Sequence, residues 1–161
     1  MINPASPHVL KDRLAALAPV VEALSNGLGN DLLAVVLFGS QARGEATPES
    51  DWDLLVIARN LPSKTLARHF ALKVMLPEAW RGRISLLAKT PQEFGSCLPA
   101  LYLDIALDGI VLFDPQEYIT PRLEWIRRQI QLYRLERQRL GRDLMWHGTP
   151  FAWSPKWEAF T

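Results

Sequence analysis

The chain has little cysteine, with Cys97 alone among 161 residues. One cysteine cannot form an internal disulfide, and without a cluster of Cys and His residues the sequence offers no zinc site. We therefore interpret Cys97 as a small buried hydrophobic residue. This sparse use of cysteine fits a reducing compartment, so we expect a cytoplasmic protein.

Long apolar runs and an excess of one charge are also absent. No run is long enough to cross a bilayer. The opening residues MINPASPHVL lack the basic start and apolar core of a signal peptide, so we expect neither a leader nor a membrane partner. The formal net charge is only +1, which disfavours a general attraction to nucleic acid without excluding a local one.

The residues that are present favour one globular domain. Hydrophobic residues make up 48% of the chain and charged residues 22%. We predict a single domain over residues 1–161 with a core at about 8–115. Apolar runs predict strands at 32–38, 52–58, 83–88 and 110–113, with helices between them. This order predicts an α/β (α+β) fold with a mixed central sheet of about four strands flanked by helices.

Three helical features of the sequence carry specific expectations. A helix at 63–76 is expected to place Leu66, Phe70, Val74 and also Leu72 on its inner side. The stretch Thr90-Pro91-Gln92-Glu93 reads as a capping box that begins a helix. From Thr120, an N-cap followed by proline, we predict a long C-terminal helix over 120–144, followed by an aromatic tail over 147–161.

The stretch GSQARGEATPESDWDLL at residues 39–55 contains two aspartates at the start of the second strand. Alternate side chains of a strand share a face, so Asp51 and Asp53 are expected to project together while Trp52 points away. Two carboxylates beside an apolar core repel each other and favour protonation unless a cation neutralises them. Hard oxygen ligands suit Mg²⁺, which keeps positions open for substrate phosphates.

A glycine turn lies just upstream of this acidic pair. Gly39 lets the backbone bend sharply, and Ser40 with the backbone N–H groups after it could hold a phosphate. Arg43 could neutralise phosphate charge with its planar fork. Taken singly, each residue has an ordinary explanation as a turn, a surface aspartate or a surface arginine. The order and spacing of the set indicate a site for a metal-bound nucleotide.

The stretch GSQARGEATPESDWDLLV resembles the signature of the DNA polymerase β-like nucleotidyltransferase superfamily, and most of all its minimal nucleotidyltransferase (MNT) type. The resemblance implies Mg²⁺ (or Mn²⁺) held by Asp51 and Asp53 as metal-binding and catalytic residues. It implies that Gly39, Ser40 and Arg43 bind the nucleotide, and we add Ser50, which precedes the acidic pair, to these candidates.

Members of this superfamily transfer a nucleoside monophosphate from an NTP, here expected to be ATP, to a hydroxyl acceptor. Many minimal members are encoded beside a small helical HEPN protein and act as the antitoxin of a toxin–antitoxin pair. Some of them adenylylate a tyrosine of the toxin. The resemblance therefore implies a magnesium-dependent transferase and a HEPN-type protein partner.

The sequence departs from the family pattern at one position. The family usually has a third carboxylate on the next core strand, and the best match here is Ser85. Other nearby acids lack the right register: Glu78, Asp104, Asp108 and Asp114. Because the third acid mainly secures the metal that activates the nucleophile, we expect Mg²⁺–NTP binding with slow turnover, or a need for a partner or for a displaced acid. The alternative is a catalytically weak or inactive binding module that masks its partner.

The C-terminal third is basic and then aromatic. Seven of the 18 Lys and Arg residues fall between Arg122 and Arg142. We interpret them as a solvated helix face, with an acidic or RNA partner as the alternative. Four large aromatic residues follow within ten positions: Phe151, Trp153, Trp157 and Phe160. They either pack on the body or, together with the preceding helix, join the chain to a second copy or a partner.

Overall fold

The computed structural model describes residues 7–148, which form a four-stranded mixed sheet with helices on both faces and a separate β-hairpin. The strands of the sheet are β1 (Leu32–Phe38), β2 (Trp52–Ala58), β3 (Ile84–Lys89) and β4 (Ile110–Phe113). The longer helices are α1 (Pro7–Ala16), α2 (Ala18–Leu28), α4 (Thr65–Met75), α7 (Ala100–Asp108) and α8 (Thr120–Leu132). Short helices are α3 (Gly39–Arg43), α5 (Glu78–Arg81) and α6 (Pro91–Ser96), and the hairpin comprises β5 (Glu136–Leu140) and β6 (Asp143–His147).

The sheet has the order β3-β2-β1-β4. Strand β1 pairs antiparallel with both β2 and β4, while β2 and β3 run parallel. A parallel pair needs a crossover, which α4 and α5 supply. Residues 32–37 of β1 are all buried, as expected for a central strand covered on both faces. The predicted mixed α/β sheet is therefore confirmed.

Local signals in the sequence placed most boundaries within a residue or two. Pro19 marks a break between α1 and α2, at Leu17. The capping box is present, because the Thr90 hydroxyl accepts from the Glu93 N–H at 3.2 Å and the Glu93 carboxylate accepts from the Thr90 N–H at 2.9 Å. Cys97, in contrast, is exposed rather than buried. Between residues 7 and 148 no helix has the length and apolar character needed to cross a bilayer.

Helix α4 turns a different face to the core than the sequence predicts. Leu66, Phe70 and Val74 are 67%, 59% and 64% exposed, so the expected inner side is wrong at these three positions, whereas Leu72 is buried as expected. The buried positions are Arg68 and Leu72. The helix accommodates a buried arginine because its guanidinium is fully engaged by polar partners, which periodicity of apolar residues cannot reveal.

Arg68 joins α4 to α6 and to the edge of the sheet. Its guanidinium donates to both carboxylate oxygens of Glu93, at 2.7 and 2.9 Å, and to the carbonyls of Pro62 and Ala88. Lys73 of the same helix donates to the carbonyl of Ile84. The free edge of β3 is therefore partly capped by α4, which protects it from pairing with another chain.

We expect Glu93→Gln to destabilise the protein by about 2 kcal/mol at pH 7, since it weakens a charge-assisted pair to a buried guanidinium. Arg68 and the Thr90 N–H lower the pKa of Glu93 to about 2. A depressed carboxyl pKa contributes stability above the unfolded value, and this contribution is lost as pH falls toward 2. Denaturant unfolding at pH 7 and pH 3 should therefore show a smaller effect of the substitution in acid. Exposed Glu124→Gln is the control, and equal effects of both variants would contradict this role.

The predicted long C-terminal helix over 120–144 is wrong in its second half. Helix α8 ends at Leu132, where Arg134 takes φ +50° and the Leu135 N–H bonds to the Ile130 carbonyl at 2.9 Å. This is a left-handed closure of the kind that ends many helices. The chain then forms the β5–β6 hairpin around a two-residue loop, in which Gly141 has φ +63°.

The arginines after Arg122 consequently do not form one helix face. Arg127 donates to the Ala106 carbonyl at 2.5 Å, and Arg137 and Arg139 make ion pairs from the hairpin. The aromatic tail expected from residue 147 lies, beyond Gly148, outside the described residues. The expectations for its packing and for a second copy of the chain therefore stay predictions.

Candidate active site

The site begins where β1 ends beside β2. Phe38 pairs with Asp53 across the antiparallel ladder, so Gly39 follows directly next to that carboxylate. Gly39 has φ +73°, a conformation that L side chains rarely adopt. A Cβ at this position would overlap Oδ2 of Asp53 and lie 3.2 Å from its Cγ. Glycine is therefore required both for the turn and for the close approach of backbone and carboxylate.

The five residues after β1 fold into the short helix α3. The N–H groups of Gly44 and Glu45 both bond to the Ser40 carbonyl, and Gly44 closes the turn at φ +74°. Among the bonds of residues 7–148, none engages the Ser40 hydroxyl, and the residue is partly exposed. That hydroxyl is accordingly available to a ligand beside Gly39.

Asp53 is the half-buried acid of the pair. Burial raises the pKa of its carboxyl, a hydrogen bond with Ser85 lowers it, the charge of Asp51 raises it and that of Arg43 lowers it; the net direction is upward. Asp51 itself is exposed and lies immediately before β2. The two carboxylates are thus close enough to repel, and a divalent cation would remove the penalty.

Ser85 occupies the position beside Asp53 on the neighbouring strand. The parallel register pairs Asp53 directly with Ser85. This agrees with the prediction that Ser85 stands where the family usually has its third carboxylate. Three of the four acids named as possible replacements serve elsewhere: Asp104 and Asp108 bind Arg137, and Asp114 accepts bonds from three N–H groups at the start of α8. Across residues 7–148, no three or more His, Cys, Asp or Glu side chains are grouped to share a metal.

Two carboxylates without a third fit one divalent cation better than two. Mg²⁺ bound by one or two carboxylates completes its coordination with water and substrate phosphate oxygens. Asp51 and Asp53 meet this requirement. Burial and the charge of Asp51 raise the pKa of Asp53, and a bound cation would offset both effects. Ser85 supplies a neutral hydroxyl where a second metal would need a charge.

Arg43 lies next to the site but is engaged by Glu45. Its Nε donates to Oε2 of Glu45 at 2.8 Å, while Oε1 of the same carboxylate accepts from Arg139 at 2.6 Å. The bond with Arg43 is the largest cause of the lowered pKa of Glu45. The positive charge of Arg43 nevertheless acts on Asp53, so the guanidinium remains within electrostatic reach of the carboxylates.

Ser50 has a local structural task in this structure. Its hydroxyl accepts from the Thr47 N–H at 2.9 Å and lies 3.2 Å from the Thr47 hydroxyl, which closes the loop before Asp51. Gln41, which the motif contains but to which no role was assigned, is buried and donates to the Ser50 carbonyl at 3.4 Å. These two residues hold the loop that delivers Asp51, and the predicted nucleotide contact of Ser50 stays a prediction.

Comparison with known protein families finds a similarity over the part of the chain that holds the site. Residues 20–97 match the nucleotidyltransferase domain family, a stretch that contains every predicted site residue. This part of the chain is similar to nucleotidyltransferase domains, as the motif indicates.

Particular relatives are similar over limited lengths or at low identity. A protein of Methanocaldococcus jannaschii named as a protein adenylyltransferase is 52% identical over 50 residues, which are 31% of this chain and 34% of that protein. The chain thus matches about a third of the relative's length. A solved structure from Sulfolobus solfataricus, named as a nucleotidyltransferase, is 20% identical with a TM-score of 0.50 over 73% of this chain and 95% of its own, which shows a shared fold.

A solved complex from Shewanella oneidensis, of a tri-AMPylated HEPN toxin with an MNT antitoxin, has 17% identity and a TM-score of 0.48. The alignment covers 78% of this chain and 92% of the matched chain.

Proposed function

We propose that this chain is a magnesium-dependent nucleotidyltransferase that moves AMP from ATP to a hydroxyl group of a protein. The observation that carries the proposal is the contact of Gly39 with Asp53, which places a half-buried carboxylate, paired with Asp51, against a turn open to phosphate. The name of the relative from Methanocaldococcus jannaschii, a protein adenylyltransferase, supports AMP as the group and protein as the acceptor.

In the proposed reaction the acceptor oxygen attacks the α-phosphorus of ATP. The bond from that phosphorus to the bridging oxygen breaks, pyrophosphate leaves with its electron pair, and the acceptor hydroxyl releases its proton to solvent. Asp51 and Asp53 would hold Mg²⁺, which supplies charge neutralisation for the phosphates. The residues of this chain act chiefly by binding and orientation: the Gly39 turn and Ser40 admit the triphosphate, and Arg43 offsets its charge.

The acceptor that we propose is a tyrosine of a HEPN-type partner encoded beside this chain. The experiment incubates the full chain with each of the four α-labelled NTPs, Mg²⁺ or Mn²⁺, and the product of the neighbouring gene. Label from ATP on a tyrosine of that product, lost with EDTA and with the Asp51→Ala/Asp53→Ala double variant, is the expected result. Absence of label with all four nucleotides and both metals would overturn the proposed transfer.

A second candidate is a weakly active or inactive binding module that masks its partner. Ser85 beside Asp53 favours it, because no acid there secures a second metal. This candidate predicts a stable complex with the neighbouring protein and unchanged masking by the double aspartate variant. The transferase predicts that masking of the partner's activity requires ATP and both aspartates.

Ser85→Asp tests whether the missing acid limits turnover. The substitution places a third carboxylate in register with Asp53. We expect transfer of AMP to rise by about tenfold at saturating Mg²⁺ or Mn²⁺, the effect of about 1.4 kcal/mol on the barrier. Ser85→Asn, similar in size but neutral, should give no increase. Steady-state label transfer as a function of metal concentration measures both, and equal rates for the two variants would contradict the explanation.

A further inference from the structure

The β5–β6 hairpin lies on the face of the sheet toward which Asp53 projects. Asp53 alternates with Leu55 and Ile57, which pack in the same core cluster as residues of α7. Arg137 of the hairpin binds Asp108 on α7, at 2.5 and 3.1 Å, and Asp104 at 3.1 Å. The hairpin is therefore fixed to α7, on the same side as the candidate site.

Arg139 follows Arg137 by two residues and so projects from the same face of β5. Its Nη2 donates to Oε1 of Glu45, the carboxylate whose other oxygen binds Arg43. One carboxylate thus holds two guanidinium groups, one from the site helix α3 and one from the hairpin. This contact spans 94 positions of the sequence.

Stability alone gives little reason for this contact. The side chains of Arg139 and Glu45 are 47% and 41% exposed, and such pairs contribute only about 0.2–1 kcal/mol. The hairpin already has a more buried anchor in Arg137, whose side chain is 21% exposed. The cluster of Arg43, Glu45 and Arg139 also has two positive charges for one negative charge, and it lies at the end of α3, next to the site.

We propose that Arg139 is a phosphate-binding residue that the hairpin supplies from outside the nucleotidyltransferase match at residues 20–97. Together with Arg43 it holds the β- and γ-phosphates of the nucleotide, which become the pyrophosphate leaving group. Glu45 is a positioning residue that keeps both guanidinium groups at the turn until phosphate oxygens compete for them. Planar guanidinium forks suit such oxygens. This inference rests on the proposed function, because it takes ATP as the ligand.

The experiment is a calorimetric titration of the full chain with Mg²⁺–AMP-PNP and, separately, with AMP. We expect Arg139→Gln to weaken Mg²⁺–AMP-PNP binding about tenfold and to leave AMP binding unchanged, because AMP lacks the two phosphates that Arg139 would hold. Arg139→Lys should lose less, since the charge is kept. Arg142→Gln is the matched control, with the same loss of charge in the same hairpin and no bond within residues 7–148 that it would break.

The outcomes separate this inference from the proposed function. If the wild type binds Mg²⁺–AMP-PNP and Arg139→Gln binds it equally well, Arg139 has no such role and the proposed function stands. Equal losses in the Arg139 and Arg142 variants would also overturn the role, since they would reflect net charge alone. A wild type that binds no Mg²⁺–AMP-PNP overturns both. Thermal unfolding of each variant checks that the fold is kept, and Arg139→Lys carries the test if the glutamine variant is unstable.

Discussion

Asp53→Asn is expected to lower transfer of AMP by about a thousandfold or more. The substitution preserves shape but removes the half-buried carboxylate of the pair, so the cation would be held by the exposed Asp51 alone. Charge neutralisation of the phosphates by a bound metal is worth several kcal/mol in such a reaction. Label transfer to the partner from α-labelled ATP measures the loss. Glu49→Gln, which removes an exposed acid of the same loop, should retain nearly full activity.

The same variant has a predicted effect on stability with the opposite sign. Burial is the main cause that raises the pKa of Asp53, so ionised Asp53 costs the folded state free energy without a cation. For a carboxyl whose folded pKa is raised, stability falls as pH rises through the interval between the unfolded and folded values. Without divalent metal, Asp53→Asn should therefore unfold at an equal or higher temperature than the wild type at pH 7. Mg²⁺ should stabilise the wild type and leave the variant unchanged. An active Asp53→Asn protein, or one that Mg²⁺ stabilises as strongly as the wild type, would contradict the metal role.

Gly39→Ala is the second substitution with a large expected effect. The new methyl group would overlap Oδ2 of Asp53, and the backbone at φ +73° is itself strained for alanine. We expect a loss of stability of about 1–3 kcal/mol and a loss of activity of at least a hundredfold, because Asp53 or the turn must move. Denaturant unfolding and label transfer measure the two effects.

Gly29→Ala is the control that separates the effect of backbone strain from the effect of displacing Asp53. Gly29 has φ +54°, and nothing lies within 4 Å of the position that its Cβ would take. This variant should therefore lose about as much stability as Gly39→Ala loses through backbone strain alone, and it should keep its activity. Were both glycine variants equally inactive, the close approach of Gly39 to Asp53 would not be what the site requires.

The sheet was predictable because its strands are signalled locally. Runs such as Leu32–Phe38 and Trp52–Ala58 are continuous, apolar and bounded by turn residues, and the structure reproduces both. The face of α4 was not predictable in the same way. The apolar residues Leu66, Phe70 and Val74 face solvent, while the buried face carries Arg68 and Leu72. Arg68 is held there by Glu93, a partner 25 positions away that periodicity does not reveal.

The end of α8 was missed for a related reason. Arginine, leucine and glutamine are good helix formers, and no proline or glycine interrupts them between Pro121 and Gly141. What favours the hairpin is tertiary, since Arg137 meets two acids of α7 and Trp146 donates to one of them. The local indication of a hairpin was Gly141, which forms a two-residue loop with Arg142 between the paired residues Leu140 and Asp143.

The motif predicted the residues at the ends of the strands, but it did not predict the contacts of the site with the hairpin. Antiparallel pairing of β1 with β2 brings Gly39 beside Asp53, and parallel pairing brings Ser85 to the same place. The contacts from Arg43 through Glu45 to Arg139 join residues far apart in sequence, so the spacing of residues in the motif could not predict them. Gln41 was also missed, because its role is to support a loop rather than to contact a ligand.

The most direct test of the central claim is a calorimetric titration of AMP-PNP into the wild-type chain with Mg²⁺ and again with EDTA. If two acids beside a glycine bend gather cation and triphosphate into one pocket, binding should be measurable with Mg²⁺ and weaker by at least about tenfold without it. The Asp51→Ala/Asp53→Ala chain should behave in Mg²⁺ as the wild type does in EDTA. Affinity that is the same with and without metal, or that survives loss of both aspartates, would contradict the account.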